Sequence, residues 1–445
     1  RRFDLCQLGV DEDLLTLRSA ADTSDRWAMW LLAEVTLGRF AAAGSRPWSF
    51  PDVAEPLWSA AGRAARKAPV DLAQGIEWHR KAAAAGNTAS MRALSLMHLR
   101  GRLGVKVDVR EASSFMVKAA DAGDPFAQVT LANWARQGAN GQLRSVDRAK
   151  LLAQRGLPIL EQLAMRGHAE AMFELGQMLR YDGLLRADRA RSGALIEQAA
   201  VAGWAPALVE TARTPFAARD EKAKAEARRR LERASALREP EAMFILAEEA
   251  ILHPGRSATT PAQGVRQMVV AAEYGEPDAQ AFVGHALIEG VHGFAKSPAD
   301  GVTLLRTAYR GGSLRACTAL ALLHLDGNHV TKDEKRAIEM LTTAAELGHP
   351  EACVLLGSMH LAGKHVGPRD ARKAADFFQK ASLAGDPTAC RLLGEMYLHG
   401  DGVARDEARA RTYLGLAARL GDAHADETLR TIAPPANAST ASPPK

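Results

Sequence analysis

The chain has 445 residues, 47% of them apolar and 24% charged, with a formal net charge of +5. That mixture excludes a disordered or low-complexity chain, and so small a positive excess over this length does not argue for nucleic acid. The sequence has no run of 18 apolar residues, which argues against a transmembrane helix, and its four cysteines are too few for a disulfide scaffold. Residues 1–24 read as a helical lead-in. The first residue is Arg1, not Met, so the true N-terminus, with or without a cleaved leader, is expected upstream. A first repeat follows over 25–86. Trp27, Leu31, Leu32 and Val35 place a stripe on its first helix, and its second helix starts at Asp71. Between them an insertion (39–70) carries Trp48, Phe50 and Trp58 among prolines. Two roles stay open for it. Capping the exposed end of a stack is preferred; the other is partner binding, since such insertions map to one face and aromatics anchor interfaces.

From there to about residue 425 one phrase recurs, a run of alanines closed by glycine. It ends at Gly86, Gly123, Gly167, Gly203, Gly275, Gly312, Gly348, Gly385 and Gly421, with a degenerate copy near Arg238. The intervals run from 35 to 44 residues and most are 36 or 37. Such a period means a solenoid of one supersecondary unit, whose long surface usually holds other proteins. In residues 351–385, Ala352, Leu355, Leu356, Met359 and His360 form one helical face, and Gly363 can end that helix. Asp370 is a good N-cap for a second helix carrying Ala374, Phe377, Phe378 and Ala381. Each unit is thus a helical hairpin that buries its stripes only by stacking.

Two stretches depart from the pattern. Residues 125–167 hold about seven extra residues. Over 204–239, Thr214–Pro215 is expected to cut the first helix short. The stretch Arg219–Arg238 is basic but interleaved with acids, as in Glu226–Arg230 and Arg228–Glu232, and reads as a solvated helix face. Cys317, Cys353 and Cys390 recur one repeat apart, too far to pair, and read as buried free thiols. His292, His329 and His365 recur in the loops and read as positive-φ positions rather than metal ligands. His98, His324 and His360 read as half-buried packing residues.

These residues resemble the Sel-one-like repeat family, a relative of the tetratricopeptide repeats. Leu393, Gly394, Tyr397, Gly400, Gly402, Val403 and Asp406 match its pattern position by position. So do Leu356, Gly357, Gly363, Val366, Asp370, Lys373 and Ala374, with His360 in the tyrosine position. The resemblance covers roughly 25–425 and implies an all-α, right-handed α-solenoid of about ten helix-turn-helix repeats, with the main solenoid over 87–425. Cysteine-rich members pair an early and a late cysteine; the late position here is Ala345 or Ser382, so that disulfide does not carry over. The resemblance also implies that first helices line a concave face binding a protein or an extended peptide. Its lining would comprise Arg92, Phe173, Gln177, Phe244, Glu248, His285, Thr318, Leu322, Ser358, Arg391 and Glu395. Reversing Arg391 or enlarging Ser358 is expected to weaken binding and leave stability nearly unchanged.

The chain lacks the common phosphate-loop, dinucleotide, zinc-protease, nucleophile-elbow and CxxC motifs. Its one SxxK, Ser442–Lys445, sits in the tail without its supporting motifs. An enzyme is not expected, and neither metal nor cofactor; hydrolysis of the kind for which some family members are labelled β-lactamases ranks last. Bacterial family members suggest an alternative, an envelope factor in exopolysaccharide secretion or its regulation. Localisation stays open, with the periplasm or envelope favoured over the cytoplasm. The Pro/Ala/Ser-rich tail, 426–445, is expected to be disordered.

Overall fold

A computed structural model describes residues 12–37, 61, 70–217, 220–255 and 259–432. Among them are 22 α-helices, one short 3-10 helix and no strand. A lead-in helix α1 (Glu12–Asp22) precedes ten hairpins, and one helix follows them. The chain divides into two compact units, Arg1–Val283 and Gly284–Lys445.

The first unit holds α2 (Arg26–Thr36), α3 (Leu72–Ala84), α4 (Thr88–Arg100), the 3-10 helix Arg102–Gly104, α5 (Val109–Asp121), α6 (Pro125–Gln137) and α7 (Val146–Met165). It continues through α8 (Ala169–Met178), α9 (Arg189–Val201), α10 (Ala205–Ala217), α11 (Glu221–Ala236), α12 (Pro240–Leu252) and α13 (Pro261–Glu273). The unit boundary falls inside α14 (Pro277–Glu289). The second unit holds α15 (Pro298–Arg310), α16 (Leu314–Asp326), α17 (Glu334–Glu346), α18 (Pro350–Ala362), α19 (Ala371–Leu383), α20 (Pro387–His399), α21 (Glu407–Arg419) and α22 (Ala423–Thr431). Even-numbered helices α2 to α20 are the first helices of hairpins, and the odd-numbered helix after each is its second.

Local chemistry starts and stops these helices. Asp108, Asp188, Asp333, Asp370 and Asp406 each accept a backbone N–H at the start of a second helix, satisfying donors that have no intrahelical partner. Pro125, Pro240, Pro350 and Pro387 open first helices, where the missing N–H costs nothing. His292, His329 and His365 have φ of +54°, +61° and +67°, the loop-geometry reading given above.

The alanine phrase marks the joint. Ala82, Ala119, Ala199, Ala234, Ala271, Ala308, Ala344, Ala381 and Ala417, each four residues before the closing position, are all 0% exposed. A larger side chain there would overpack the helix contact by about 1–3 kcal/mol. Gly357 shows how close the approach is: a Cβ on it would lie 2.6 Å from the Phe378 ring.

The structure decides one open point and corrects one expectation. The extra residues of 125–167 lengthen a helix: α7 has 20 residues where most second helices have 13. Leu160 and Ala164 at its end are still buried, so two added turns preserve the stacking register. The Thr214–Pro215 pair does not cut α10 short, because the helix runs on to Ala217. The proline sits in the last turn, where losing one N–H removes a single bond.

Candidate interaction face

Counting the residue preceding each first helix as zero gives the nine first helices α4 to α20 one register, while in α2 the ninth residue, Glu34, is buried. The eighth residue is Ser95, Ala132, Gly176, Ala212 and Ala247 in the first unit, and Gly284, Ala321, Gly357 and Gly394 in the second. All nine are small and buried. The ninth is Leu96, Asn133, Gln177, Arg213 and Glu248, then His285, Leu322, Ser358 and Glu395. Each of these is at least partly exposed, and their chemistry changes from repeat to repeat. The predicted Gln177, Glu248, His285, Leu322, Ser358 and Glu395 all belong to this row.

The other predicted residues occupy the fifth position, and the structure gives several of them a joining role. Arg92 on α4 meets Asp124, the N-cap of the next first helix, at 3.3 Å and Glu170, on the one after, at 2.5 Å. Its guanidinium also lies 4.6 Å from the centre of the Phe126 ring. Burial works against the charge, but Asp124, Glu170 and Glu174 outweigh it and raise the Arg92 pKa. Glu174, beside this cluster, is raised from 4.5 to about 7 by burial and by Glu170, with Arg92 and Arg100 offsetting part of the shift.

In the second unit the fifth position makes the same reach. The Thr318 hydroxyl lies 3.2 Å from Nδ1 of His349, the N-cap of α18, and Thr318 is only 1% exposed. Arg391 Nε lies 3.1 Å from Asp422, the N-cap of α22, and its Nη1 2.8 Å from Glu395. Reversing Arg391 therefore breaks a contact between helices, which corrects the expectation that stability would be nearly unchanged. Phe244 is 7% exposed and Phe173 is half-buried against the core of the first unit. Arg391 and Glu395 are the predicted pair that the structure joins directly. Trp48, Phe50 and Trp58 lie outside the described residues, as do the tail from 433 onward and its SxxK.

Charges elsewhere tie neighbouring repeats. Arg180 meets Glu210 at 2.7 Å, Arg213 meets Glu241, and Arg230 grips Glu197 with both Nη atoms. The Glu226–Arg230 pair is present at 3.6 Å. Arg228 reaches Glu249 on α12 at 2.5 Å, an inter-helix contact that an i,i+4 pairing with Glu232 did not anticipate.

One constellation was not foreseen. His79 on α3 places Nε2 3.2 Å from Glu34 on α2 and Nδ1 3.1 Å from the Ser90 hydroxyl on α4. Its members are those of a hydrolase triad, yet His79 and Ser90 are 0% exposed. The arrangement ties three helices together through a buried polar network. The only advance signal was the position of His79 on the stripe of Ile76 and Ala83.

Of the histidines in the tyrosine position, His324 places Nδ1 2.9 Å from the Thr331 carbonyl oxygen, while His98 and His360 stack on aromatic rings. His360 lies 5.6 Å from Phe377 and His98 6.0 Å from Phe115, much as Tyr397 lies 5.7 Å from Tyr413. Burial and Lys373 hold the His360 pKa below its ordinary value. Cys317, Cys353 and Cys390 are free and buried, and burial pushes each thiol pKa up. Among the described residues no group of three or more His, Cys, Asp or Glu is placed to hold a metal ion. No described helix is long and apolar enough to cross a membrane.

Comparison with known proteins bears on the repeat. The Sel1 repeat model matches residues 63–87, 88–124, 169–203, 314–349, 350–386 and 387–422. No curated protein matches the chain. Among solved structures, a protective antigen of uropathogenic Escherichia coli with an SLR fold is 22% identical, with 94% of this chain and 81% of that one covered and a TM-score of 0.36. A Sel1 repeat protein from Oxalobacter formigenes is 21% identical, with 96% and 92% covered and a TM-score of 0.30. Cysteine rich protein B of Helicobacter pylori is 28% identical over 29% of this chain and 96% of its own, with a TM-score of 0.25. The six matches fall in phase with the hairpins that the helices themselves define, and the chain carries six Sel1 repeats.

Proposed function

We propose that this chain is a non-catalytic scaffold that holds a protein or an extended peptide on the face formed by its first helices. Sel1-repeat proteins are generally protein–protein interaction scaffolds. The observation that carries the reading is the contrast between the eighth and ninth positions. Selection for stacking alone explains nine small buried residues, but not a partly exposed row whose chemistry differs at nearly every repeat. A uniform frame with a variable exposed row suits recognition of an extended ligand, each repeat reading one part of it.

The test uses capture from the native organism with Gln177→Trp in the first unit and Ser358→Trp in the second. Leu383→Arg, on a second helix at 83% exposure, serves as the control. A partner retained by the control and lost by either tryptophan variant, at unchanged helical signal and melting temperature, supports the first-helix face. Full retention by both tryptophan variants removes it. Deleting residues 41–68 separates a role of the aromatic insertion, since only that change would then release the partner.

A further inference from the structure

We infer that the turn between α13 and α14 is a clasp that closes the first unit on itself. Its contacts reach back five hairpins. The Tyr274 hydroxyl donates to the Leu37 carbonyl at 2.6 Å, and Leu37 is the C-cap of α2. That carbonyl has no partner within its own helix, so a side chain 237 positions later satisfies it. Beside it, a Cβ placed on Gly275 would lie 2.6 Å from Arg102 Cα and 2.9 Å from its Cβ. The 3-10 helix that Arg102 begins also packs against α13. The inference does not depend on the scaffold reading, because it concerns contacts within one unit.

Comparison with the other repeats isolates this turn. The residue before the closing position is half-buried or exposed in the nine other hairpins, from Ala85 to Leu420. Tyr274, in that position, is 4% exposed. Gly123, Gly167, Gly312, Gly348, Gly385 and Gly421 close equivalent turns, and a Cβ on any of them would meet nothing within 4 Å; on Gly86 and Gly203 it would meet only an arginine guanidinium, at 3.5 and 2.6 Å, where Gly275 meets the Arg102 backbone. Only something packed on the turn makes Tyr274 and Gly275 differ from their counterparts. Glu276 completes the contact. Its carboxyl is raised from 4.5 to about 7, chiefly by burial and then by Asp278, with Arg102 opposing and Glu239 adding to the rise. The clasp fixes the curvature of the first unit and so the spacing at which its first-helix row is presented.

Hydrogen exchange on the full chain tests this at the Val105 amide, which donates to the Arg102 carbonyl at 3.0 Å. Tyr274→Phe keeps the ring and removes the hydroxyl; exchange at Val105 is expected to rise about fivefold to tenfold, the loss of one hydrogen bond. Gly275→Ala and Gly123→Ala share the strain of a positive φ, +84° and +89°, but only the first meets Arg102. The first is therefore expected to loosen Val105 and increase the radius seen by small-angle scattering, while the second leaves both as in the wild type. A rise in Tyr274→Phe supports the clasp even if Gly275→Ala does not fold. Unchanged exchange in Tyr274→Phe, together with Gly275→Ala behaving as Gly123→Ala, overturns it.

Discussion

The two units fasten the same joint with different chemistry. The fourth residue of several first helices reaches back to a carbonyl near the end of the preceding second helix. In two hairpins of the first unit that side chain is an amide, the other hairpins having Met or Leu there: Gln128 donates to the Ala120 carbonyl at 3.1 Å and Gln280 to the Ala272 carbonyl at 3.2 Å. In the second unit it is a thiol: Cys353 lies 3.8 Å from the Ala345 carbonyl and Cys390 4.0 Å from that of Ser382. Charge follows the same division. Arg92 binds two later first helices through carboxylates that are 0% and 16% exposed, whereas Arg391 binds Asp422 and Glu395 at 10% and 33%. A repeat position thus prescribes a volume and a reach, not a functional group. A weak thiol donor compensates by burying apolar surface, while an amide contributes a full hydrogen bond but must have its partner.

The largest test of this contrast is Arg92→Ala. It leaves Asp124 buried without its cation and is expected to cost about 3 kcal/mol in the urea unfolding of the first unit. Arg391→Ala, whose acidic partners are wetter, is expected to cost about 1 kcal/mol; equal losses would erase the distinction. Next come the joint residues. Gln128→Ala truncates a buried side chain and leaves the Ala120 carbonyl with only the Gly123 N–H; it should cost about 2 kcal/mol, against about 1 kcal/mol for Cys353→Ala, both read from denaturant midpoints at constant slope. A reversed order would mean that thiol packing outweighs the amide bond.

The units should also answer pH with opposite signs. Glu174 and Glu276 have folded pKa values raised to about 7, so between about 5 and 7 the folded first unit binds more protons than the unfolded chain. Its stability therefore falls as pH rises through that window. Arg92, Arg100 and Glu170 surround Glu174, and Glu174→Gln should flatten part of the slope. In the second unit, Asp370 is held low by the Lys373 backbone N–H and Glu334 by Lys332. Their contribution is present above the ordinary carboxylate range and is lost only on acidification below about 4. Thermal melts at pH 5, 7 and 8 check the first unit and melts at pH 3 to 5 the second. The smallest effect is expected at Ser358→Ala, within about 0.5 kcal/mol, since the side chain is exposed; a larger loss would mean that the ninth position also holds the stack.

Much of this architecture was legible because each repeat states its own punctuation. Asp370 and Asp406 as caps, Gly363 as a stop and the in-phase alanines are local signals with local causes, and they appear where expected. The face was legible only in part. Helical periodicity selected Ser358 and Arg391 together as residues off the apolar stripe. It did not show that Arg92, Thr318 and Arg391, at the fifth position, reach the N-cap of the next first helix, while the ninth position from α4 to α20 stays at least partly exposed. Pro215 misled because a proline's cost depends on how many bonds remain beyond it, and only a turn remains. The additional residues near 150 carried no mark of whether they lengthened a loop or α7.

The sequence alone therefore determined the repeat unit, its period, its buried stripes and its likeness to the Sel1 repeat, since those depend on contacts within a few tens of residues, repeated in phase. Tertiary structure decided what depends on which repeats meet. The reach of Arg92 across two hairpins and the seating of Tyr274 on Leu37 join segments whose separation along the chain encodes nothing about their approach. Curvature, accumulated from small offsets at each joint, brings them together.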